Sequence, residues 1–176
     1  MDPTGGVTEC GIIAVLKGRD GHYYVLADRT RHGSPNAWAT AAVALYEELQ
    51  ADRIVAEINY GGAMVESTIR NVDQQVSYRS LTASRGKAIR AEPVVALYER
   101  GMVHHVGEFP ALEEELVSWV PGSAMQSPNR LDALVWAITD LMGGGLQIDK
   151  AITGGTRESM ADRLGGFGVG DGRREW

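Results

Sequence analysis

The sequence is poor in cysteine and has no long apolar runs. Cys10 is the only cysteine among 176 residues, which excludes an internal disulfide and a zinc site built from cysteines. No apolar segment approaches the roughly 20 residues that a transmembrane helix requires. The N-terminus lacks the basic and apolar regions of a signal peptide. We therefore expect a globular, intracellular protein with no membrane partner.

Positive charge is also in short supply. The formal net charge is −6, which argues against a protein that binds nucleic acid through its overall field. The charge is unevenly distributed, however. Residues 70–90 contain five basic residues and one aspartate, whereas residues 108–115 contain four glutamates and no basic residue. A local cationic surface on an acidic protein is one interpretation, and a solvated charged face is the other.

The hydrophobic pattern predicts an α/β fold in which a mixed sheet is flanked by helices. Apolar or alternating segments predict five strands, at residues 10–16, 22–28, 54–58, 75–82 and 102–106. Helical spacing predicts five helices, at about residues 35–51, 64–70, 84–101, 111–119 and 129–142. Periodicity is lost after Gly143. Residues 1–142 are therefore expected to form one domain, and 143–176 a Gly-rich, disordered tail.

Local signals support these boundaries. Asp20-Gly21 predicts a hairpin turn between the first two strands. Ser34-Pro35 has the pattern of a helix cap followed by proline in the first turn. Pro93 is expected either to kink the third helix or to mark its start.

Three carboxylates stand out by position: Asp2 near the start, Glu57 late in an apolar strand, and Asp132 in the first turn of the last helix. An ionised carboxylate in a buried strand is costly unless something compensates it. Mg²⁺ or Mn²⁺ held jointly by the three acids would do so. Each acid also has a simpler interpretation. Asp2 could belong to a disordered terminus, Glu57 could pair with an arginine such as Arg53 or one from residues 70–90, and Asp132 could favour the helix dipole.

Five stretches, in this order, resemble the nuclease domain of phage terminase large subunits, which has an RNase H-like fold. They are D-P-T-G-G…E-C-G-I (2–12), H-Y-Y-V-L-A-D (22–28), R-I-V-A-E-I-N-Y-G-G-A-M-V (53–65), S-R-G-K-A-I-R-A-E-P-V-V-A-L-Y-E-R-G-M-V-H-H-V-G (84–107) and S-P-N-R-L-D-A-L-V-W-A (127–137). The resemblance implies an RNase H-like mixed sheet and a metal-dependent endonuclease that cuts concatemeric double-stranded DNA during genome packaging. It also implies two Mg²⁺ or Mn²⁺ ions, which can activate a water and stabilise the leaving oxygen of a phosphodiester.

By this resemblance, Asp2, Glu57 and Asp132 are the expected catalytic and metal-binding residues. The expected contacts with DNA phosphates, in the S-R-G-K stretch and just beyond it, are Arg85, Lys87 and Arg90. Solvated charge, or pairing with Glu92, is the alternative for these basic residues. The implied partners are DNA, the terminase ATPase, the small terminase subunit and the portal, in the cytoplasm of a bacterial host.

Several other residues near these motifs are expected to be structural. Asn129 is interpreted as a helix cap rather than a metal ligand, and Asp28 as a turn residue. His104 and His105 should point to opposite faces of a short strand, so at most one could face any site. Helical spacing favours core packing over base stacking for the tryptophans of the later helices, Trp119 and Trp136.

The sequence departs from the family in two ways. It contains no G-x-x-x-x-G-K-[ST] phosphate loop, so the ATPase motor is not encoded here. Only Met1 precedes Asp2, whereas the family's first acid follows an apolar strand, so the first central strand is expected to be truncated. Truncation would expose the edges of the neighbouring strands.

A non-catalytic DNA-binding or assembly module of the packaging machinery is therefore an alternative to the nuclease. Another RNase H-like enzyme, such as a junction resolvase, is a third interpretation.

Overall fold

The computed structural model describes residues 8–58, 62–82, 87–120 and 128–143. Asp2, Arg85 and the predicted tail beyond Gly143 lie outside these ranges. Seven strands are described: β1 (Thr8–Cys10), β2 (Ile13–Lys17), β3 (Tyr23–Asp28), β4 (Arg31–Gly33), β5 (Ile54–Glu57), β6 (Tyr78–Leu81) and β7 (Val103–His105). Five helices are described: α1 (Pro35–Leu49), α2 (Gly62–Val72), α3 (Lys87–Glu99), α4 (Pro110–Ser118) and α5 (Asn129–Leu141).

Most predicted elements are present, but the predicted first strand is split into β1 and β2. The break falls at Gly11, where a Cβ would lie 2.1 Å from the carbonyl oxygen of Asn129. Only glycine allows the backbone to approach α5 so closely. The short strand β4, which was not predicted, pairs antiparallel with β1.

The helix boundaries agree with some local signals and correct others. Ser34 caps α1, and its Oγ accepts a hydrogen bond from the N–H of Ala37 at 3.3 Å, as predicted. The prediction that Asn129 caps α5 is wrong, because Asn129 is the first helical residue and Pro128 precedes it without a side-chain cap. The α3 helix continues through Pro93, so this proline does not mark its start.

The described strands form separate sheets with both strand orientations. In the three-stranded sheet β2 pairs antiparallel with β3, and β3 pairs parallel with β7. In another sheet β5 pairs parallel with β6. Residues of β2, β5, α1 and α5 line a cavity of about 330 Å³. No described strand pairs with the second edge of β2 or of β5.

The α5 helix connects the three-stranded sheet to the β5–β6 sheet, since it contacts both β2 and β5. Its buried stripe, as predicted from the spacing, packs against β3, α3 and α4 in the main core. A second core lies between α1, α2, β5 and β6. Burial of each large aliphatic side chain in these cores contributes about 1.5–3 kcal/mol. In the part of the chain that the structure covers, none of the helices has the length and hydrophobicity to span a bilayer.

Candidate metal and nucleic-acid site

Glu57 is the last residue of β5, and the structure shows two groups that compensate its charge. The indole Nε1–H of Trp136 donates a hydrogen bond to Oε2 of Glu57 at 2.9 Å. The guanidinium Nη2 of Arg90 lies 3.8 Å from Oε1. With 23% of its side chain exposed, Glu57 remains in contact with water. The alternative in which Glu57 pairs with an arginine is therefore realised, with Arg90 rather than Arg53.

Asp132 lies in the first turn of α5, where a negative charge is favoured by the helix dipole. It precedes Trp136 by one helical turn, and residues at this spacing lie on the same helix face. The offset along the helix axis is about 6 Å. Because Trp136 contacts Glu57, Asp132 lies on the side of α5 that faces the end of β5. Asp132 thus shares a helix face with the residue that contacts Glu57, while the convergence of the acids on one metal site stays a prediction.

The third predicted acid, Asp2, lies outside the described residues. Within those residues, no group of three or more histidine, cysteine, aspartate or glutamate side chains is arranged to hold a metal ion. The donors present, two carboxylates at a strand end and a helix start, are of the type that Mg²⁺ and Mn²⁺ prefer. The three-acid site therefore stays a prediction, and its two described members are compatible with it.

Of the three residues predicted to contact DNA, only Lys87 and Arg90 lie within the described ranges. Arg85 lies outside the described ranges, and Lys87 is the first residue of α3. One turn further along, Arg90 has a side chain that is 14% exposed. Its Cζ lies 4.6 Å from the centroid of the Trp136 ring. Arg90 therefore lies beside Glu57. Contact of Arg85, Lys87 and Arg90 with DNA phosphates stays a prediction.

A second charged group, which the sequence reasoning missed, holds the start of α5. We call it the Arg130 cluster: Arg130, Glu9, Asp28 and Glu115. Arg130 donates from Nε to Oδ2 of Asp28 at 3.0 Å and from Nη1 to Oε1 of Glu9 at 3.2 Å. The same Nη1 donates to Oε1 of Glu115 at 2.9 Å. The cluster thus ties β1, β3 and α4 to the turn of α5 that contains Asp132.

Backbone contacts complete this anchor. Oε2 of Glu115 accepts hydrogen bonds from the N–H groups of Arg130 at 2.9 Å and Leu131 at 3.0 Å. Glu115 therefore provides the capping interaction that Asn129 does not. The amide of Asn129 instead donates to Oε2 of Glu9 at 3.0 Å. The acidic run at 108–115 is a sequence signal for this role, but a run of charge does not identify the helix start that it contacts.

Electrostatics inside the Arg130 cluster favour the ionised forms of Arg130 and Glu9. Burial lowers the pKa of Arg130, but hydrogen bonds to Glu115 and the charges of Asp28 and Glu9 outweigh it, so the pKa is raised overall. The hydrogen bond from Asn129 lowers the pKa of Glu9, with burial opposing it and Arg130 adding to it. Asp28 also accepts a hydrogen bond from the N–H of Thr30 at 2.8 Å, which confirms its predicted turn role.

The tandem histidines point to different surroundings, as expected. His104 Nε2 lies 2.7 Å from Nδ1 of His22. His105 contacts the Tyr98 hydroxyl through Nε2 at 2.8 Å and Glu113 through Nδ1 at 3.0 Å. Burial, followed by the charge of Glu113, raises the pKa of Tyr98, so its hydroxyl stays protonated beside His105. Both histidines therefore have local structural partners.

One further buried acid, Asp140, was also missed. It lies on α5 and is 9% exposed. Arg79 Nη1 contacts its Oδ1 at 2.7 Å, and Arg53 Nε lies 3.7 Å from its Oδ2. This pairing explains why Arg53 does not serve Glu57. Trp136, predicted as a core residue, is 8% exposed and so is buried, but its N–H also makes the contact with Glu57.

Comparisons with known proteins add the following findings. The sequence matches the family described as "Terminase RNaseH-like domain" over residues 1–141. Among solved structures, the fold is similar to the crystal structure of the yeast mitochondrial Holliday junction resolvase Ydc2, with a TM-score of 0.46 and 16% sequence identity. That similarity covers 75% of this chain and 74% of the other. A comparison with curated proteins found no match.

Proposed function

The chain belongs to the Terminase RNaseH-like domain family, and from that membership we propose that it is the metal-dependent DNA endonuclease domain of a phage packaging terminase. Membership in this family confirms the resemblance that the motifs indicated. It also confirms the RNase H-like fold and supports a nuclease role. The proposal adds the substrate, concatemeric double-stranded DNA, and hydrolysis with two metal ions. The observation that carries it is the arrangement of α5, which places Asp132 one turn from the residue that binds Glu57.

Asp2, Glu57 and Asp132 are proposed to hold two Mg²⁺ or Mn²⁺ ions. Such ions, when bound, supply an activated water and stabilise the leaving 3′ oxygen. The chain's own part is to keep the carboxylates in place. Glu57 is oriented by the hydrogen bond from Trp136, and Asp132 by the helix start that the Arg130 cluster anchors. Arg90 balances the charge of Glu57 from 3.8 Å.

DNA is proposed to bind through phosphate contacts from Arg85, Lys87 and Arg90. Such contacts position the backbone without reading bases, so cutting should show little sequence preference. Because the net charge is −6, affinity must come from this local basic segment and should fall steeply with salt. The further partners we propose are the terminase ATPase, the small subunit and the portal. The proposed setting is the cytoplasm of a bacterial host.

The test is cleavage of a plasmid in the presence of Mn²⁺ or Mg²⁺. Asp132→Asn keeps the shape of the side chain but removes its charge, and it should reduce cutting by at least about 100-fold. The matched control is Asp52→Asn, the same change at an exposed position before β5, at the opposite end of that strand from Glu57. Cutting by Asp132→Asn at the wild-type rate would refute the role of Asp132.

The alternative is a non-catalytic DNA-binding or assembly module. One observation favours it: Glu57 already has a cationic neighbour in Arg90, so its charge is partly compensated without a metal ion. Calorimetric titration with Mn²⁺ separates the two functions. Binding with an affinity that Asp132→Asn lowers supports the nuclease, whereas no heat of binding supports the module.

A further inference from the structure

The contact between Trp136 and Glu57 joins the middle of α5 to the end of β5. Trp136 is 8% exposed, and its Nε1–H donates to Oε2 of Glu57 at 2.9 Å. A buried indole N–H generally needs an acceptor. A phenylalanine would satisfy the packing alone, so the indole adds one specific interaction, which is directed at a carboxylate of the candidate site.

This hydrogen bond makes the two oxygens of Glu57 inequivalent. Oε2 accepts from the indole at 2.9 Å, whereas the contact of Oε1 with Arg90, at 3.8 Å, is longer than a hydrogen bond. A charge at that distance interacts with the carboxylate without fixing its orientation. The indole N–H therefore adds a directional constraint on the carboxylate plane that the Arg90 contact does not.

We propose that Trp136 is a positioning residue, whose indole N–H holds the Glu57 carboxylate in the orientation that binds a divalent cation. The inference rests on the proposed function, in which Glu57 is a metal ligand. Partners that hydrogen-bond a ligating side chain orient it, and their loss weakens metal binding by about 10–100-fold. An aliphatic core residue at position 136 has no N–H group and could not make this hydrogen bond to Glu57.

Arg90 shares the same ring. Its Cζ lies 4.6 Å from the indole centroid, a distance at which a cation is attracted to an aromatic face. The face of the Trp136 ring therefore contacts the Arg90 guanidinium, and the N–H at its edge contacts the Glu57 carboxylate. Trp136→Phe keeps an aromatic face for Arg90 but removes the N–H together with part of the ring, so the Glu57→Gln background is needed to separate the hydrogen bond from the loss of volume.

Calorimetric titration with Mn²⁺ alone tests the proposal. Trp136→Phe should bind Mn²⁺ at least about tenfold more weakly than the wild type. The matched control is Trp38→Phe on α1, which packs in the second core and should leave the affinity unchanged. In a Glu57→Gln background, Trp136→Phe should weaken binding less than about twofold further, because the charged ligand is already lost. Equal losses in both backgrounds, or wild-type affinity of Trp136→Phe, would overturn the proposal.

A second measurement does not depend on the nuclease proposal. The indole N–H of Trp136, assigned by its loss in Trp136→Phe, should exchange slowly with solvent in the wild type and at least about tenfold faster in Glu57→Ala. Unchanged exchange in Glu57→Ala would refute the hydrogen bond and the inference with it. Slow exchange in a wild type that binds no Mn²⁺ would leave the contact intact but refute both the metal site and the positioning role. If Trp136→Phe unfolds, Trp136→Leu provides the comparison, because it also removes the N–H without adding another donor.

Discussion

Replacing Arg130 with methionine should destabilise the fold at the start of α5. Arg130 makes three ion pairs at 2.9–3.2 Å, and its side chain is 18% exposed. Methionine keeps much of the apolar length of the side chain but removes its charge. Three carboxylates, those of Glu9, Asp28 and Glu115, would then lie close together without this cation.

The structure gives the size of the effect. Removing one partner of a buried ion pair costs about 3–5 kcal/mol. The partner side chains are 14–20% exposed, so water offsets part of this cost, and Glu115 still accepts two backbone hydrogen bonds. We therefore expect the free energy of unfolding to fall by about 2–4 kcal/mol. For a chain of this size, the thermal midpoint would fall by roughly 4–16 °C.

Thermal unfolding followed by circular dichroism at neutral pH measures this loss. Arg29→Met is the matched control, because the Arg29–Glu48 pair at 3.4 Å is 50% and 57% exposed. Exposed pairs contribute about 0–1 kcal/mol. In about 1 M NaCl the small effect of Arg29→Met should vanish, whereas most of the effect of Arg130→Met should persist. The reasoning fails if the two variants unfold at the same temperature.

Three further variants test the packing and the charges. Leu134→Ala should lower the free energy of unfolding in urea by about 2–5 kcal/mol, because Leu134 is 0% exposed in the main core. A loss below about 1 kcal/mol would mean that the site collapses without a cavity. Gly11→Ala should also be less stable in urea, since its Cβ would meet the backbone oxygen of Asn129 at 2.1 Å; wild-type stability would contradict this close approach. The hydrogen bond from Asn129 lowers the pKa of Glu9 below 4.5, so its contribution to stability is present above that value and lost as the pH falls through the folded pKa. In Glu9→Gln, the free energy of unfolding should therefore fall less steeply with pH in this acidic range. An unchanged pH dependence would count against the lowered pKa of Glu9.

The sequence was sufficient for elements that depend on neighbouring residues. Ser34-Pro35 predicted the start of α1, and the apolar spacing of the last helix predicted the buried face of α5. Elements that depend on distant contacts were missed or misjudged. The break at Gly11 exists because α5 passes close to the backbone there, and the strand β4 forms only because β1 lies beside it. Neither contact leaves a local pattern.

In the candidate site, too, features set by neighbouring residues were predicted and features set by distant contacts were not. An ionisable residue late in an apolar strand marked Glu57 as unusual, and the possibility of an arginine partner was stated from the sequence. The identity of that partner, Arg90, and the indole hydrogen bond from Trp136 depend on how α3 and α5 pack against β5. The Arg130 cluster was not predicted at all, because its members are brought together from β1, β3 and α4.

The two described acids depend on one helix at two separate points. The Arg130 cluster fixes the start of α5, where Asp132 lies, and Trp136 connects the middle of the helix to Glu57. Arg130→Met should therefore lower stability and, by releasing the start of α5, also weaken Mn²⁺ binding. Trp136→Phe should weaken Mn²⁺ binding at temperatures where the variant is still fully folded. If both variants changed stability alone, α5 would be a structural helix, and Glu57 and Asp132 would be acids stabilised by their neighbours rather than ligands.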